Sequence, residues 1–180
     1  MFLKICTVLA ALWAAYVSIE IVREGGGLLS LSSKADLDTV VFFDGHCNLC
    51  NGFVNFVIDR DPENRVRFGS IQSHIPYLDY MNAPTDLSTM VLVQNGKVYT
   101  HSEAALRSFA LLSFPWNLVS VFQWLPSPIR DLGYRTVARY RYLLFGRTDT
   151  CRAPDPSLQQ RFVDAKDLFE KNEKRKPAFS

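Results

Sequence analysis

The stretch "FFDGHCNLCNGFVNF", residues 42–56, joins a strand pattern to a helix pattern. The apolar, β-branched and aromatic run "TVVFF" ends at Asp44 and Gly45, which predicts a strand that is buried on both faces. From Cys47 onward, apolar residues recur at steps of three and four, which predicts an amphipathic helix. Cys47 and Cys50 therefore lie at the start of a helix that directly follows a buried strand.

The segments that follow complete an α/β pattern. "VRFGSI" predicts a second strand, and "SHIPYLDYM" a short helix. "TMVLV" and "KVYT" flank Asn95-Gly96, which predicts a hairpin, and "SEAALRSFALLS" predicts a helix with Ser102 as its N-cap. This order, with a two-cysteine motif opening the first helix, predicts a thioredoxin-like fold with a central mixed sheet flanked by helices.

A helical C-terminal extension is predicted from about residue 115. Its segments are "WNLVSVFQWLP", "PSPIRDLGYRTVARYRYLLFG" and "PDPSLQQRFVDAKDLFE". The first is too apolar to stand free in water, so we expect the extension to pack on the core. One domain is therefore predicted at residues 38–165, followed by a charged tail at residues 166–180.

The N-terminal residues form a separate pattern. Residues 1–24 hold an apolar run that is preceded by Lys4, which predicts a signal peptide or an uncleaved membrane anchor. Residues 25–37 begin with three glycines and read as a flexible linker. We therefore expect a membrane tether through residues 2–22, or delivery to a secretory or organellar compartment.

Composition limits the classes of function. The chain has 180 residues and a formal net charge of +2, which argues against a nucleic-acid partner. Its four cysteines are too few for a disulfide scaffold in a chain of this length. Cys151 lies in a polar loop pattern and is either a third redox thiol or, as we favour, a packed small residue.

Three kinds of chemistry suit the cysteine pair. A structural zinc site usually needs a second close pair of ligands, which this sequence does not contain. A purely structural disulfide would close so small a ring that it would add little stability. A redox pair that opens and closes is the interpretation we favour, with metal binding as an alternative.

The redox interpretation assigns a role to each sulfur. A cysteine at a helix N-terminus faces unpaired N–H groups and the positive end of the helix dipole, which favour a thiolate. Cys47 is expected to be exposed there and to attack a substrate disulfide, whereas Cys50, one turn inside and more buried, resolves the mixed disulfide. No bound cofactor is needed, and the expected partner is a protein or small molecule that carries thiols or a disulfide.

Two neighbouring residues admit two roles each. Asp44 is a supporting catalytic candidate that accepts the proton of Cys50, or it organises the turn by accepting N–H bonds. His46 stabilises the thiolate when protonated, or it is an exposed turn residue. A row of arginines in residues 135–147 reads as exposed guanidiniums on an aromatic helix, with a surface for anionic partners as the alternative.

The motif "DGHCNLCN" resembles the signature of the DCC family of thiol-disulfide oxidoreductases. The likeness continues in order through "FGSIQS", "SEAAL", "YRTVARYRYLLFG" and "CRAPDPSLQQRF", and covers about residues 38–165. The resemblance implies a thioredoxin-like domain with a helical C-terminal extension and a disulfide oxidoreductase activity. It also implies that Cys47 and Cys50 are the redox pair and that Asp44 is the signature acid.

The sequence departs from thioredoxin itself before the third strand. Thioredoxins place a cis-proline there, whereas this chain has Ser88 and Thr89, so Thr89 and Met90 are expected to offer the docking backbone. A second class of function stays open. The anchor pattern and the aromatic extension also suit a membrane-tethered binding or assembly module with little turnover.

Overall fold

The structure is a computed structural model that describes residues 39–148 and 156–163, with Ala15 and Leu168 as isolated positions. The chain divides into two compact units, Met1–Lys34 and Ala35–Ser180. Apart from these two positions, the expected anchor and the charged tail lie outside the described residues, as do the linker and Cys151.

A four-stranded mixed sheet forms the centre of the described unit. Its strands are β1 (Thr39–Phe43), β2 (Arg67–Ser70), β3 (Val91–Gln94) and β4 (Lys97–Thr100), in the order β2-β1-β3-β4. β1 runs parallel to β2 and antiparallel to β3, and β3 pairs antiparallel with β4. This arrangement confirms the predicted thioredoxin-like α/β fold.

Helices cover both faces of this sheet. The α-helices are α1 (Asn48–Ile58), α2 (Ile75–Tyr80), α3 (His101–Ala110) and α4 (Ser127–Phe145). Two 3₁₀ helices span Trp116–Trp124 and Pro156–Arg161. The hairpin turn is as predicted, because Asn95 and Gly96 both have positive φ angles, of 52° and 76°.

Side chains alternate along β1 and supply two cores. Phe42 points to the face that packs against Tyr77 and Leu78 of α2, whereas Val41 points to the face covered by α1 and α3. All five residues of β1 are buried, as expected for a central strand. The cysteine motif therefore follows the most completely buried strand of the sheet.

Two predicted helix features are wrong. The helix at "SEAALRSF" begins at His101, so Ser102 lies inside it, where its hydroxyl donates to Asp131 instead of capping the helix. The last predicted helix does not run through Phe162. That residue forms a parallel bridge with Phe68 of β2, and the N–H of Val163 donates to the carbonyl of Phe68 at 2.9 Å. Pairing with the open edge of β2 therefore takes the place of the helix that the periodicity predicts at Phe162.

A buried ion pair ties the C-terminal segment to the core. Nη2 of Arg161 lies 2.7 Å from Oδ2 of Asp61, and both side chains are buried. The same carboxylate accepts the N–H of Val66, and Arg161 also donates to the carbonyl of Val66. Because both charges are hydrogen-bonded as well as paired, they tolerate removal from water.

The extension lies against the core but keeps much apolar surface exposed. Trp116 packs edge-on against Phe56 of α1, with 4.9 Å between ring centroids. No residue of the first 3₁₀ helix is buried, and Arg141 is the only buried residue of α4. The exposed large apolar side chains of the extension include Phe114, Leu118, Val121, Phe122, Ile129, Leu132, Leu143 and Leu144. Among the described residues, no helix is both long and apolar enough to cross a membrane.

Candidate functional site

The cysteine pair opens α1 as predicted. Cys47 is the N-cap residue, with an extended backbone, and its Sγ accepts the N–H of Cys50 at 3.4 Å. Cys50 lies in the first turn, and both residues are free thiols in the structure. A sulfur that caps a helix faces unpaired N–H groups and the positive end of the helix dipole, which is the position that the sequence predicted for Cys47.

The predicted order of exposure is wrong. Cys47 has 0% of its surface exposed, whereas Cys50 is half-buried. The backbone of Arg147, just past the end of α4, forms an antiparallel bridge with Cys47, and the N–H of Thr148 donates to the carbonyl of His46. A segment about 100 residues away in the sequence therefore pairs with the backbone of a cysteine that the local pattern leaves open.

Burial raises the pKa of the Cys50 thiol to about 12, and the hydrogen bond and charge of Cys47 add to this effect. Cys50 therefore keeps its proton at neutral pH. This suits a thiol that waits for a second step, because a thiol attacks only after it loses that proton.

Asp44 is buried and its oxygens are occupied by donors. Oδ1 accepts the N–H of His46 at 3.0 Å and Nε2 of Gln72 at 2.7 Å. Oδ2 accepts the hydroxyl of Tyr142 and lies 3.5 Å from Nη2 of Arg141. Burial raises the pKa of Asp44, but these hydrogen bonds and the charge of Arg141 outweigh it and hold the pKa below the ordinary value of 3.8. A carboxylate with this environment suits organising the turn better than accepting a proton.

His46 is exposed at this turn. Its Nδ1 lies 3.1 Å from Nε2 of Gln72 and 3.9 Å from Oδ1 of Asp44. The side chain of Gln72 thus joins His46 to the carboxylate. Sequence reasoning did not identify Gln72 as part of the site, although it lies in the "FGSIQS" motif that carried the family resemblance.

Sequence reasoning missed Arg141 and Tyr142 of α4, which both contact Asp44. Arg141 was expected among exposed guanidiniums, but it is buried and donates to the carbonyls of Leu87 and Ser88 and to the hydroxyl of Tyr142. Arg135, Arg139 and Arg147 are exposed, as predicted for that row. The motif "YRTVARYRYLLFG" contains both missed residues and was the available signal.

The loop before β3 is also engaged by α4. The hydroxyl of Tyr134 accepts the N–H of Met90 and the hydroxyl of Thr89, each at 3.1 Å. The N–H of Met90, which was expected to offer docking backbone, is therefore already paired with a side chain of the extension, and the same expectation for the backbone of Thr89 stays a prediction.

A cavity of about 210 Å³ lies beside Cys50. Its walls come from α1, α3, α4 and the loop before β3, and are mainly apolar. The lining residues are Phe43, Asp44, Leu49, Cys50, Phe53, Leu87, Thr89, Met90, Ala105, Phe109, Tyr134, Val137, Ala138 and Arg141. A second, more open groove of about 510 Å³ lies on the side of α4 that carries Arg135, Arg139 and Arg147. Among the described residues, no group of three or more His, Cys, Asp or Glu could hold a metal ion.

A mixed four-stranded sheet with a two-cysteine motif at the start of the first helix defines a thioredoxin-like protein. The chain belongs to the DCC1-like thiol-disulfide oxidoreductase family, whose model matches residues 41–147. This membership confirms the resemblance seen in the sequence and supports a thiol–disulfide role in general terms.

Two curated relatives extend the match. The chain is 40% identical over 136 residues to the protein YuxK of Bacillus subtilis (strain 168), which covers 74% of this chain and 99% of that protein. It is 41% identical over 122 residues to a chloroplastic DCC family protein of Arabidopsis thaliana, which covers 66% of this chain and 71% of that protein. No solved structure gives a significant match.

Proposed function

We propose that the protein exchanges disulfides through Cys47 and Cys50, without a bound cofactor, on a protein or small molecule that carries thiols or a disulfide. The observation that carries the proposal is the helix cap, in which Sγ of Cys47 accepts the N–H of Cys50. This contact places the sulfur of Cys47 at the N-terminal end of α1, while burial holds the proton on Cys50. The two thiols thus differ in the way that a two-step exchange requires.

In the first step, the Cys47 thiolate attacks a substrate disulfide. A bond forms between Sγ of Cys47 and one substrate sulfur, the substrate disulfide breaks, and the released thiolate takes a proton from water. In the second step, Cys50 loses its proton to water and attacks Sγ of Cys47, so that a disulfide forms between Cys47 and Cys50. The mixed disulfide breaks, the second substrate sulfur leaves as a thiolate that takes a proton from water, and two electrons have passed from the pair to the substrate. The reverse sequence oxidises substrate thiols.

Attack by Cys47 requires that its sulfur become accessible, because Cys47 is buried and the segment after α4 pairs with the backbone of this turn through Arg147 and Thr148. Asp44 acts in this proposal as a positioning residue. It fixes the turn that precedes Cys47 by accepting the N–H of His46, and its other oxygen holds the end of α4 through Tyr142.

Single substitutions of the cysteines test the proposal. Cys47→Ser should abolish exchange with a small disulfide, because the attacking sulfur is lost. Cys50→Ser should accumulate mixed disulfides on Cys47, visible as added mass in intact-protein mass spectrometry. Cys151→Ser is the matched control and should exchange at the wild-type rate. Trapping by Cys47→Ser instead would reverse the two roles, and wild-type exchange in both variants would refute the proposal.

The exposed apolar side chains of the extension favour a second candidate, a membrane-tethered binding or assembly module with little turnover. In that case the pair would be inert, and the tether would run through residues 2–22, outside the described residues. Alkylation rates distinguish the two candidates. A catalytic Cys47 reacts with iodoacetamide below neutral pH in the Cys50→Ser variant, whereas an inert one does not.

A further inference from the structure

The cavity beside Cys50 brings a sulfur of the redox pair to an apolar space. Leu49 and Phe53 line it from α1, and Phe109 lines it from α3. Cys50 is half-buried on this side, whereas Cys47 does not line the cavity. A molecule inside the cavity therefore meets the pair from the side of Cys50, and its attack by Cys47 requires the same uncovering of the Cys47 sulfur that the exchange function requires.

The volume of the cavity limits the size of an occupant. An apolar cavity of about 150 Å³ is enough to hold benzene. Pockets for drug-sized ligands usually have volumes of about 300–1,000 Å³. At about 210 Å³, this cavity suits a molecule somewhat larger than benzene, or one arm of a longer chain.

The charges around the cavity favour an uncharged ligand. Asp44 is ionised and lies 3.5 Å from the guanidinium of Arg141, so these two charges already balance each other. A ligand carboxylate in this apolar space would be an additional buried charge without its own counter-ion, which is unfavourable.

The structure also disfavours an extended peptide at this site. The N–H of Met90, in the loop where thioredoxin-like proteins dock substrates, already donates to Tyr134. The carbonyls of Leu87 and Ser88 in the same loop accept from Arg141. Backbone groups that would pair with a peptide are thus occupied by α4, and the partly open cavity remains next to the pair.

We propose that this cavity is the substrate site, and that it binds a small, uncharged, mainly apolar thiol or disulfide. The proposal rests on the exchange function given above and names its substrate class. Lipoamide has this chemistry, because it joins a cyclic disulfide to an aliphatic chain and an amide carbonyl. Lipoate is its charged counterpart and differs only in the carboxylate.

Binding is tested first without any redox chemistry. The full chain with Cys47→Ala and Cys50→Ala is titrated with lipoamide and with lipoate by calorimetry, at about 0.15 M salt to screen exposed charges. Lipoamide should bind about tenfold more tightly than lipoate. Equal affinity for the two, or no binding of lipoamide, would overturn the proposal.

Filling the cavity locates the binding. In the same background, Ala138→Leu and Ala105→Val place extra carbons in two walls and should each weaken lipoamide binding by about tenfold or more. Thr136→Leu is the matched control on the exposed side of α4 and should bind like its parent. Circular dichroism shows which variants fold. Equal binding by folded cavity variants and the control would place the ligand elsewhere and refute the site.

Turnover separates this proposal from the function on which it rests. The chain with native cysteines should exchange with lipoamide, and Ala138→Leu should raise KM for lipoamide, whereas Thr136→Leu should keep the wild-type KM. Equal KM values for the two variants would show that the exchanging substrate does not occupy the cavity and would refute the proposal. Binding of lipoamide without exchange of any disulfide would support the site and refute the exchange function.

Discussion

The sheet-based core and the C-terminal extension are held in the molecule by different forces. All of β1 is buried, and its side chains feed two apolar cores. The extension is equally rich in apolar residues, yet α4 buries only Arg141 and the first 3₁₀ helix buries nothing. Its described anchors include polar groups, because Tyr142 donates to Asp44 and Arg161 pairs with Asp61.

This contrast shows that apolar composition does not by itself locate a core. The aromatic run "WNLVSVFQWLP" predicted a buried face, but none of its residues is buried, whereas Arg141, Arg161 and Val163 of the extension are. Polar groups of α4 reach the cysteine motif and the loop before β3, so the extension supports the site as well as the fold.

Removal of the extension should have the largest effect. A chain that ends at Ser113 leaves the buried carboxylates of Asp44 and Asp61 without Tyr142, Arg141 and Arg161. We expect it to be insoluble or to lack a cooperative unfolding transition in near-ultraviolet circular dichroism. A chain that lacks residues 1–30 is the control and should fold and stay redox-active. A folded, redox-active fragment of residues 35–113 would show that the core needs no extension.

Breaking the buried ion pair should have the next largest effect. Arg161→Ala leaves the carboxylate of Asp61 buried without its partner, which should lower the free energy of unfolding by about 3–5 kcal/mol. Arg65→Ala is the matched control, because its guanidinium pairs with the exposed Glu63 and should contribute about 1 kcal/mol or less. Urea denaturation followed by circular dichroism measures both. Equal effects would mean that the Arg161 contact does not anchor the extension.

Tyr142→Phe should produce a smaller loss that depends on pH. It removes a hydrogen bond to a charged acceptor, worth about 1.5–3 kcal/mol at neutral pH. Because the folded pKa of Asp44 is below 3.8, the stability that its ionised form contributes is present above that pH and is lost as the pH falls through the folded pKa. The difference in stability between the wild type and Tyr142→Phe should therefore shrink as the pH falls below 3.8.

Thermal unfolding of both proteins between about pH 7 and pH 3 measures this difference. Tyr140→Phe, at a half-exposed position of the same helix, is the control and should track the wild type throughout. A gap that stays constant with pH would mean that the Tyr142 hydroxyl does not act through the charge of Asp44.

The smallest expected effect concerns the titration of Cys50. Its pKa of about 12 comes first from burial and then from Cys47. In Cys47→Ala the second cause is removed, so the pKa should fall but stay above the ordinary value of 9.0. Alkylation rates of the single thiol against pH measure the shift, with Cys6 and Cys151 replaced by Ser. A return to 9.0 would mean that burial is not the main cause.

Local patterns predicted the sheet and most of the helices, because strand periodicity, the Asn-Gly turn and helix periodicity each act over a few residues. They placed Cys47 correctly at the start of α1. They failed for its exposure, because Arg147 reaches it from about 100 residues away. They failed for the same reason at Arg141. The arginines of α4 look alike in the sequence, but Arg141 is buried whereas Arg135 and Arg139 are exposed. Pairings between distant segments leave no periodic trace in a single sequence.

The backbone pairing of Phe162 with β2 has a consequence for solubility. β2 is an outer strand of the sheet, and an open outer strand is a template for pairing with another molecule. Phe162 and Val163 occupy part of that edge. The carbonyl of Val163 also lies 3.0 Å from Nε2 of His74, so a second contact holds this segment against the core. The C-terminal segment thus blocks part of the β2 edge from pairing with a strand of another molecule. Loss of this segment would favour aggregation along β2 even where the rest of the sheet stays intact.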